Sequence, residues 1–202
     1  MVKVLGDYPR AQGALREATD IFEELGDRNG AAWSINQQGD IARAQGDLVA
    51  ARGLYHRALL SFREAGDQWG SARSLADLAS IDCEQKDHSA AFAAYREALE
   101  ISVGLGHRRG TARVLEGVSC LAVAQGQAAR ALKLAAAATH LRQLIGAPLH
   151  PAEQQKLDHA LRPAWEALGE SDGKSIWAEG SAMSLERAIR FTLEEPGSAI
   201  SH

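Results

Sequence analysis

Seven histidines, two cysteines and a scatter of acids are the side chains here that could do catalysis or bind metal. None of His56, His88, His107, His140, His150, His159 and His202 stands at a recognised catalytic spacing from an acid. Cys83 and Cys120 form no CxxC pair and have no histidine cluster beside them, which points away from structural zinc and from a disulfide framework. Asp40 and Asp77 are carboxylates that adjacent helices could bring together. Asp40 has Arg43 one turn away, and a satisfied carboxylate is a poor acid or base. Gly26, Gly66 and Gly106 recur as joins, not as a nucleotide fingerprint, and no GxxxxGK[ST] loop is present. His107-Arg108-Arg109 is a small basic tip, and the net charge of -4 argues against a broad nucleic-acid-binding field. The expectation is no enzyme, no cofactor, no metal and no direct nucleic-acid contact.

The elements behind these residues repeat. Gly6-Asp7, Gly46-Asp47, Lys86-Asp87 and Gly126-Gln127 fall at one spacing of forty, as do Gly26, Gly66, Gly106 and Gly146. A fixed period of this length means stacked supersecondary units. Alanines Ala11, Ala51, Ala91 and Ala131 share one column, and Ala18, Ala58, Ala98 and Ala138 another. Small residues at such columns let helices approach closely, and the internal glycines, Gly39 above all, are assigned the same role. Apolar residues at three- and four-residue steps predict helices near 8–25, 29–45, 48–65, 69–85, 88–105, 109–125 and 128–145. Pro151 then opens a helix to Leu168, a break covers 169–173, and shorter helices follow near 174–180 and 185–195. Residues 1–147 thus read as a repeat array with an incomplete first pair and units near 29–65, 69–105 and 109–145. Residues 148–202 read as capping helices, with Trp165 and Trp177 as their core anchors. The short Met1–Gly6 start has no signal-peptide core, no apolar run is long enough to span a bilayer, and a cytoplasmic location is expected.

These columns resemble tetratricopeptide repeats. The pattern appears as Leu75, Leu78-Ala79, Lys86-Asp87-His88, Ala91, Tyr95 and Ala98, and the neighbouring units repeat it. Each unit is roughly six residues longer than the ordinary repeat of thirty-four. The long repeats, with Leu141–Leu149, Ala164-Trp165 and Ile176–Ile189, also resemble the C-terminal region of bacterial LuxR-like and nucleotide-binding signal-transduction ATPase regulators. The resemblance implies an all-α, right-handed superhelix of antiparallel helix pairs with a C-terminal helical cap. It also implies a non-catalytic scaffold or sensor in a bacterial transcriptional or signalling regulator, binding a protein or peptide. The alternative is a small-molecule effector-sensing domain with a cavity beneath Trp33 and Arg73.

Carrying the family's concave-face positions over gives Trp33, Asn36, Asp40 and Arg43, then Arg73, Asp77 and Ser80, then Arg113, Glu116 and Cys120. Arginine can grip a carboxylate bidentately and tryptophan can anchor a peptide, whereas local ion pairing and helix packing are the plainer roles of both. The missing first helix of the opening pair suggests a start inside a longer array. It admits a homo-oligomer formed end to end through Leu5, Leu15, Ile21 and Phe22.

Overall fold

A computed structural model describes residues 8–194. Leu5, Gly6, Asp7, Glu195 and His202, which enter the reading above, lie outside them. Among the described residues the chain is all-α. Its helices are α1 (Tyr8–Glu24), α2 (Arg28–Ala44), α3 (Leu48–Ala65), α4 (Gln68–Glu84), α5 (His88–Gly104), α6 (Arg108–Ala124), α7 (Ala128–Leu144), α8 (Pro151–Ser181) and α9 (Leu185–Leu193). The first seven fall within one residue of the bounds read from the period. None of the described helices is long and apolar enough to cross a membrane.

The joins explain that regularity. Gly26, Gly46, Gly66, Gly106, Gly126 and Gly146 all have φ between 62 and 85°, the left-handed turn that ends a helix and favours glycine. At the first join the Asp27 N–H reaches the Phe22 carbonyl at 2.8 Å and the Gly26 N–H reaches that of Glu23 at 3.1 Å, which satisfies the helix end. Lys86 takes the same turn with φ 64° although it carries a side chain. The next helix is then capped. Asp27, Asp47, Asp67 and Asp87 accept from the N–H three residues on, at 2.9 to 3.0 Å. His107 Nδ1 does the same for Gly110 at 3.2 Å, whereas Gln127 makes no side-chain cap bond.

Glycine has a second use three residues past the cap. A Cβ on Gly70 would stand 2.4 Å from the Phe62 ring, and one on Gly30 2.6 Å from that of Phe22. Gly39 is tight for a related reason: its Cβ would lie 2.6 Å from the Tyr55 ring. Aromatic rings fill these spaces, where the sequence suggested helix backbones drawn together.

The residues group into two compact units, 1–81 and 82–202, divided within α4. In the first, α2 packs on α1 and α3 around Ala32, Ile35, Ala58 and Phe62. In the second, α6 packs on α5 and α7, and α8 lies on both α6 and α7. Leu157, Leu161 and Ala164 of α8 meet Ala122, Ala131, Leu132 and Ala135. Helix α9 rests on α7 and α6.

The tail departs from expectation in one place. The break expected at 169–173 is a kink at a single residue, Gly169 (φ 76°, ψ 167°), and α8 continues to Ser181. Gly173 is buried, and a Cβ there would lie 2.6 Å from the Trp165 ring. Trp165 in turn lies 5.7 Å from Trp177. That packing keeps residues 170–173 helical although Gly-Glu-Ser-Asp-Gly reads locally as a loop. His150 and Glu153 close a capping box ahead of Pro151, as the proline foretold.

Candidate functional site

The first unit gathers four of its seven candidate residues into one connected arrangement between α2 and α4. Arg73 donates from Nε to Asp77 Oδ2 and from Nη2 to Asp40 Oδ2, both at 2.8 Å. Tyr55 of α3 donates its hydroxyl to Asp40 Oδ1 at 2.9 Å. Asn36 donates from Nδ2 to Asp77 Oδ2 at 3.3 Å and to Ser74 Oγ at 3.2 Å. Asn36 Oδ1 is buried without a hydrogen-bond partner. Burial, then the charges of Asp77 and Asp40, pushes the Tyr55 phenol above its ordinary value.

Exposure separates these residues into two kinds. Asn36 and Asp77 are completely buried. Their side chains are enclosed beneath the stripe on which the sequence placed them. Neither position could have been told from its exposed neighbours by helical spacing alone. Both hold the network from beneath. Arg73 keeps 28% of its side-chain surface and Asp40 keeps 40%, so these two carry the network's charge to solvent. A guanidinium fixed by two carboxylates presents one geometry rather than many, which lowers the ordering cost of any contact it makes.

Beside this charge lies an aromatic cluster. Trp33 is half-buried, with its ring centroid 4.8 Å from Phe62 and 4.3 Å from Trp69. Its indole N–H donates to Asp67 Oδ2 at 3.3 Å, while Asp67 Oδ1 caps α4 through the Gly70 N–H. Trp69 keeps 47% of its surface and sits one helical turn before Arg73. Sequence reading passed over Trp69, Ser74 and the Tyr55 hydroxyl. Trp69 carried a usable signal: it lies one turn short of a full period from Trp33, on the same stripe. Arg43 is half-buried on α2, and Ser80 donates to the Ala76 carbonyl at 3.0 Å on α4.

The three candidates of the second unit lie on α6. Glu116 receives Arg142 of α7 in a two-point pair, Nε to Oε1 and Nη2 to Oε2, and Arg142 Nη1 also reaches the Ala147 carbonyl at 3.3 Å. Arg142 is only 9% exposed, so the pair serves the α6–α7 packing. Arg113 is half-buried, and Cys120 lies partly buried against the core that α8 covers. Among the described residues, no group of three or more histidine, cysteine, aspartate or glutamate side chains could hold a metal ion.

The tetratricopeptide repeat family model matches residues 30–102, from the first turn of α2 through most of α5. With helices alone among the described residues, the fold is an all-α helical repeat of the tetratricopeptide type. Repeats of this family generally mediate protein–protein interactions and are generally non-catalytic. No curated protein matches the chain.

Proposed function

We propose that this chain is a non-catalytic module that binds a protein or peptide, with α2 and α4 of the first unit as its contact face. The observation that carries this reading is the pinned Arg73, held by Asp40 and Asp77, beside the half-exposed Trp69 packed at a tilt on Trp33. Fixed aromatic and arginine side chains are the groups that dominate peptide and protein recognition. In this reading Trp33, Asp40, Arg43, Arg73 and Ser80 form the face and Asn36 and Asp77 support it, while Arg113, Glu116 and Cys120 are a separate candidate stripe on α6 of the second unit. Residues 1–147 are the repeat array and 148–202 its cap. The module is the scaffold or sensor part of a cytoplasmic bacterial transcriptional or signalling regulator, as the tail residues Leu141–Leu149 and Ile176–Ile189 suggest.

A displayed peptide library selected on the purified chain tests the face. Enriched peptides should lose about tenfold or more in affinity with Trp69→Ala or Arg73→Ala. Arg57→Ala, which breaks only the exposed pair with Glu23, should leave them unchanged. Equal loss from all three variants, or no enrichment, removes the assignment. A gene encoding no nucleotide-binding or DNA-binding domain beside this module would remove the regulator context. A homo-oligomer through α1 is supported by the exposure of Ile21 and Leu25, with Leu15 and Phe22 partly covered. Light scattering that shows a monomer at all concentrations would end that part.

A further inference from the structure

The second unit contains a cleft of about 260 Å³ with an apolar floor of Phe92, Val118 and Leu121 and a polar edge that includes His88, Gln125 and Arg130. Its edge chemistry is uneven. No acidic side chain lines it among the described residues, and one arginine does.

That arginine is unlike the other guanidiniums that hold structure in this chain. Arg73 is fixed by two carboxylates and Arg142 by one, in two-point contact. Arg130 makes its hydrogen bonds through a single nitrogen: Nη2 donates to the carbonyls of Thr192 at 2.9 Å and Glu194 at 2.7 Å. Its guanidinium lies 5.1 Å over the Phe191 ring. These contacts place the charge at the end of α9, on neutral acceptors and an aromatic face. Among the described residues its Nε and Nη1 donate no hydrogen bond. The Glu194 charge acts on Arg130 through space without a side-chain hydrogen bond, and burial lowers the arginine's basicity. Nη2 belongs to both two-point edges of the guanidinium and is already engaged, so an anion at this partly desolvated charge would accept a single hydrogen bond, from Nε or from Nη1.

The other edge residues agree in sign. Gln125 Oε1 accepts from Gln127 at 3.1 Å, which leaves the Gln125 amide N–H groups as donors at the rim. His88 opens α5, whose end the Asp87 carboxylate already caps, and adds a polar group to the edge. At ~30 Å³ for each water-sized group, the volume admits on the order of ten non-hydrogen atoms.

We propose that this cleft binds a small apolar monocarboxylate of about the size of octanoate. Its carboxylate would accept one hydrogen bond from Nε or Nη1 of Arg130 and another from the Gln125 amide, and its hydrocarbon would lie on Phe92, Val118 and Leu121. An apolar pocket with a few convergent polar groups is the usual form of a small-ligand site. The site is independent of the peptide-binding reading, whose face lies on α2 and α4, and differs from the cavity the sequence suggested beneath Trp33 and Arg73.

Titration of the whole chain with octanoate, followed by calorimetry and by backbone amide resonances, tests the proposal. Saturable one-site binding is expected, with the resonances of Phe92, Leu121 and Arg130 moving together. Gln125→Glu, a rim change on an exposed residue, should weaken binding by about fivefold or more, and Arg130→Gln by about tenfold. Octanol should bind more weakly than octanoate, and Trp69→Ala should change nothing. The proposal is overturned by absence of saturation up to roughly 10 mM octanoate. Octanol binding as tightly as octanoate, or unchanged affinity in Gln125→Glu, overturns it equally. Those outcomes leave peptide binding at Trp69 and Arg73 untouched.

Discussion

Phe62 and Arg142 stand two periods apart at the same place in the repeat, and the two units fill that place with opposite chemistry. Phe62 is fully buried, and Gly70 leaves the room its ring occupies. Arg142 is nearly as enclosed but carries a charge that Glu116 must balance. Between them, the equivalent residue is Ser102, and there the ring of His107 takes up space near Gly110. What repeats is the backbone: the left-handed residue, the cap and the small residue after it. What fills the join is free to vary so long as it is satisfied. A ring is satisfied by area removed from water, while a guanidinium needs a carboxylate at the right distance.

This contrast is best broken at Glu116. Glu116→Ala strands Arg142 in the interior and should cost about 3–5 kcal/mol in urea unfolding. Glu116→Leu combined with Arg142→Met should recover most of that loss, because a buried ion pair is often no more stabilising than apolar residues of similar volume. If the single change costs no more than an exposed-pair deletion, the two joins do not differ as argued. The glycines sharpen the comparison at the next scale. Gly70→Ala pushes a Cβ into the Phe62 ring and should lose about 1–3 kcal/mol. Gly110→Ala meets the ends of Ser102 and His107 and should stay under about 1 kcal/mol, since alanine also favours the helix.

A smaller change should run the other way. Lys86 takes the left-handed turn that glycine takes at the six other described joins, and Lys86→Gly should raise stability by about 1 kcal/mol. At neutral pH, Tyr55→Phe should have the smallest effect, under about 1 kcal/mol, because Asp40 keeps Arg73. Its signature is alkaline. The folded phenol ionises above its ordinary value of 10.0, so the unfolded chain releases its proton first. The stability this contributes is complete below pH 10.0 and is lost as pH rises beyond it. Tyr55→Phe should flatten that loss in a pH series of unfolding midpoints. An unchanged slope would show that the phenol is not protected by α3 burial and the Asp40–Asp77 charges.

Helix positions in the array were legible because each is bounded by its own short code. Gly26-Asp27 or Gly46-Asp47 ends one helix and starts the next without help from distant residues. The Gly169–Gly173 stretch was read rightly at Gly169, where helical geometry breaks, and misled at 170–173, which read as a loop locally while Trp165 and Trp177 packing holds them helical. The candidate stripe was legible as spacing but not as depth. Asn36 and Asp40 lie on one stripe of α2, yet one is buried and the other open.

The order of turns, caps and helices, and the column where each side chain falls, belongs to the sequence alone, because those features depend on neighbours within a few residues. Only the tertiary structure decided that Arg73 bridges Asp40 and Asp77, that Glu116 neutralises Arg142, and that Arg130 lines a cleft beside the end of α9. A charge is paired by groups that reach it across helices, and sequence spacing carries no record of those distances.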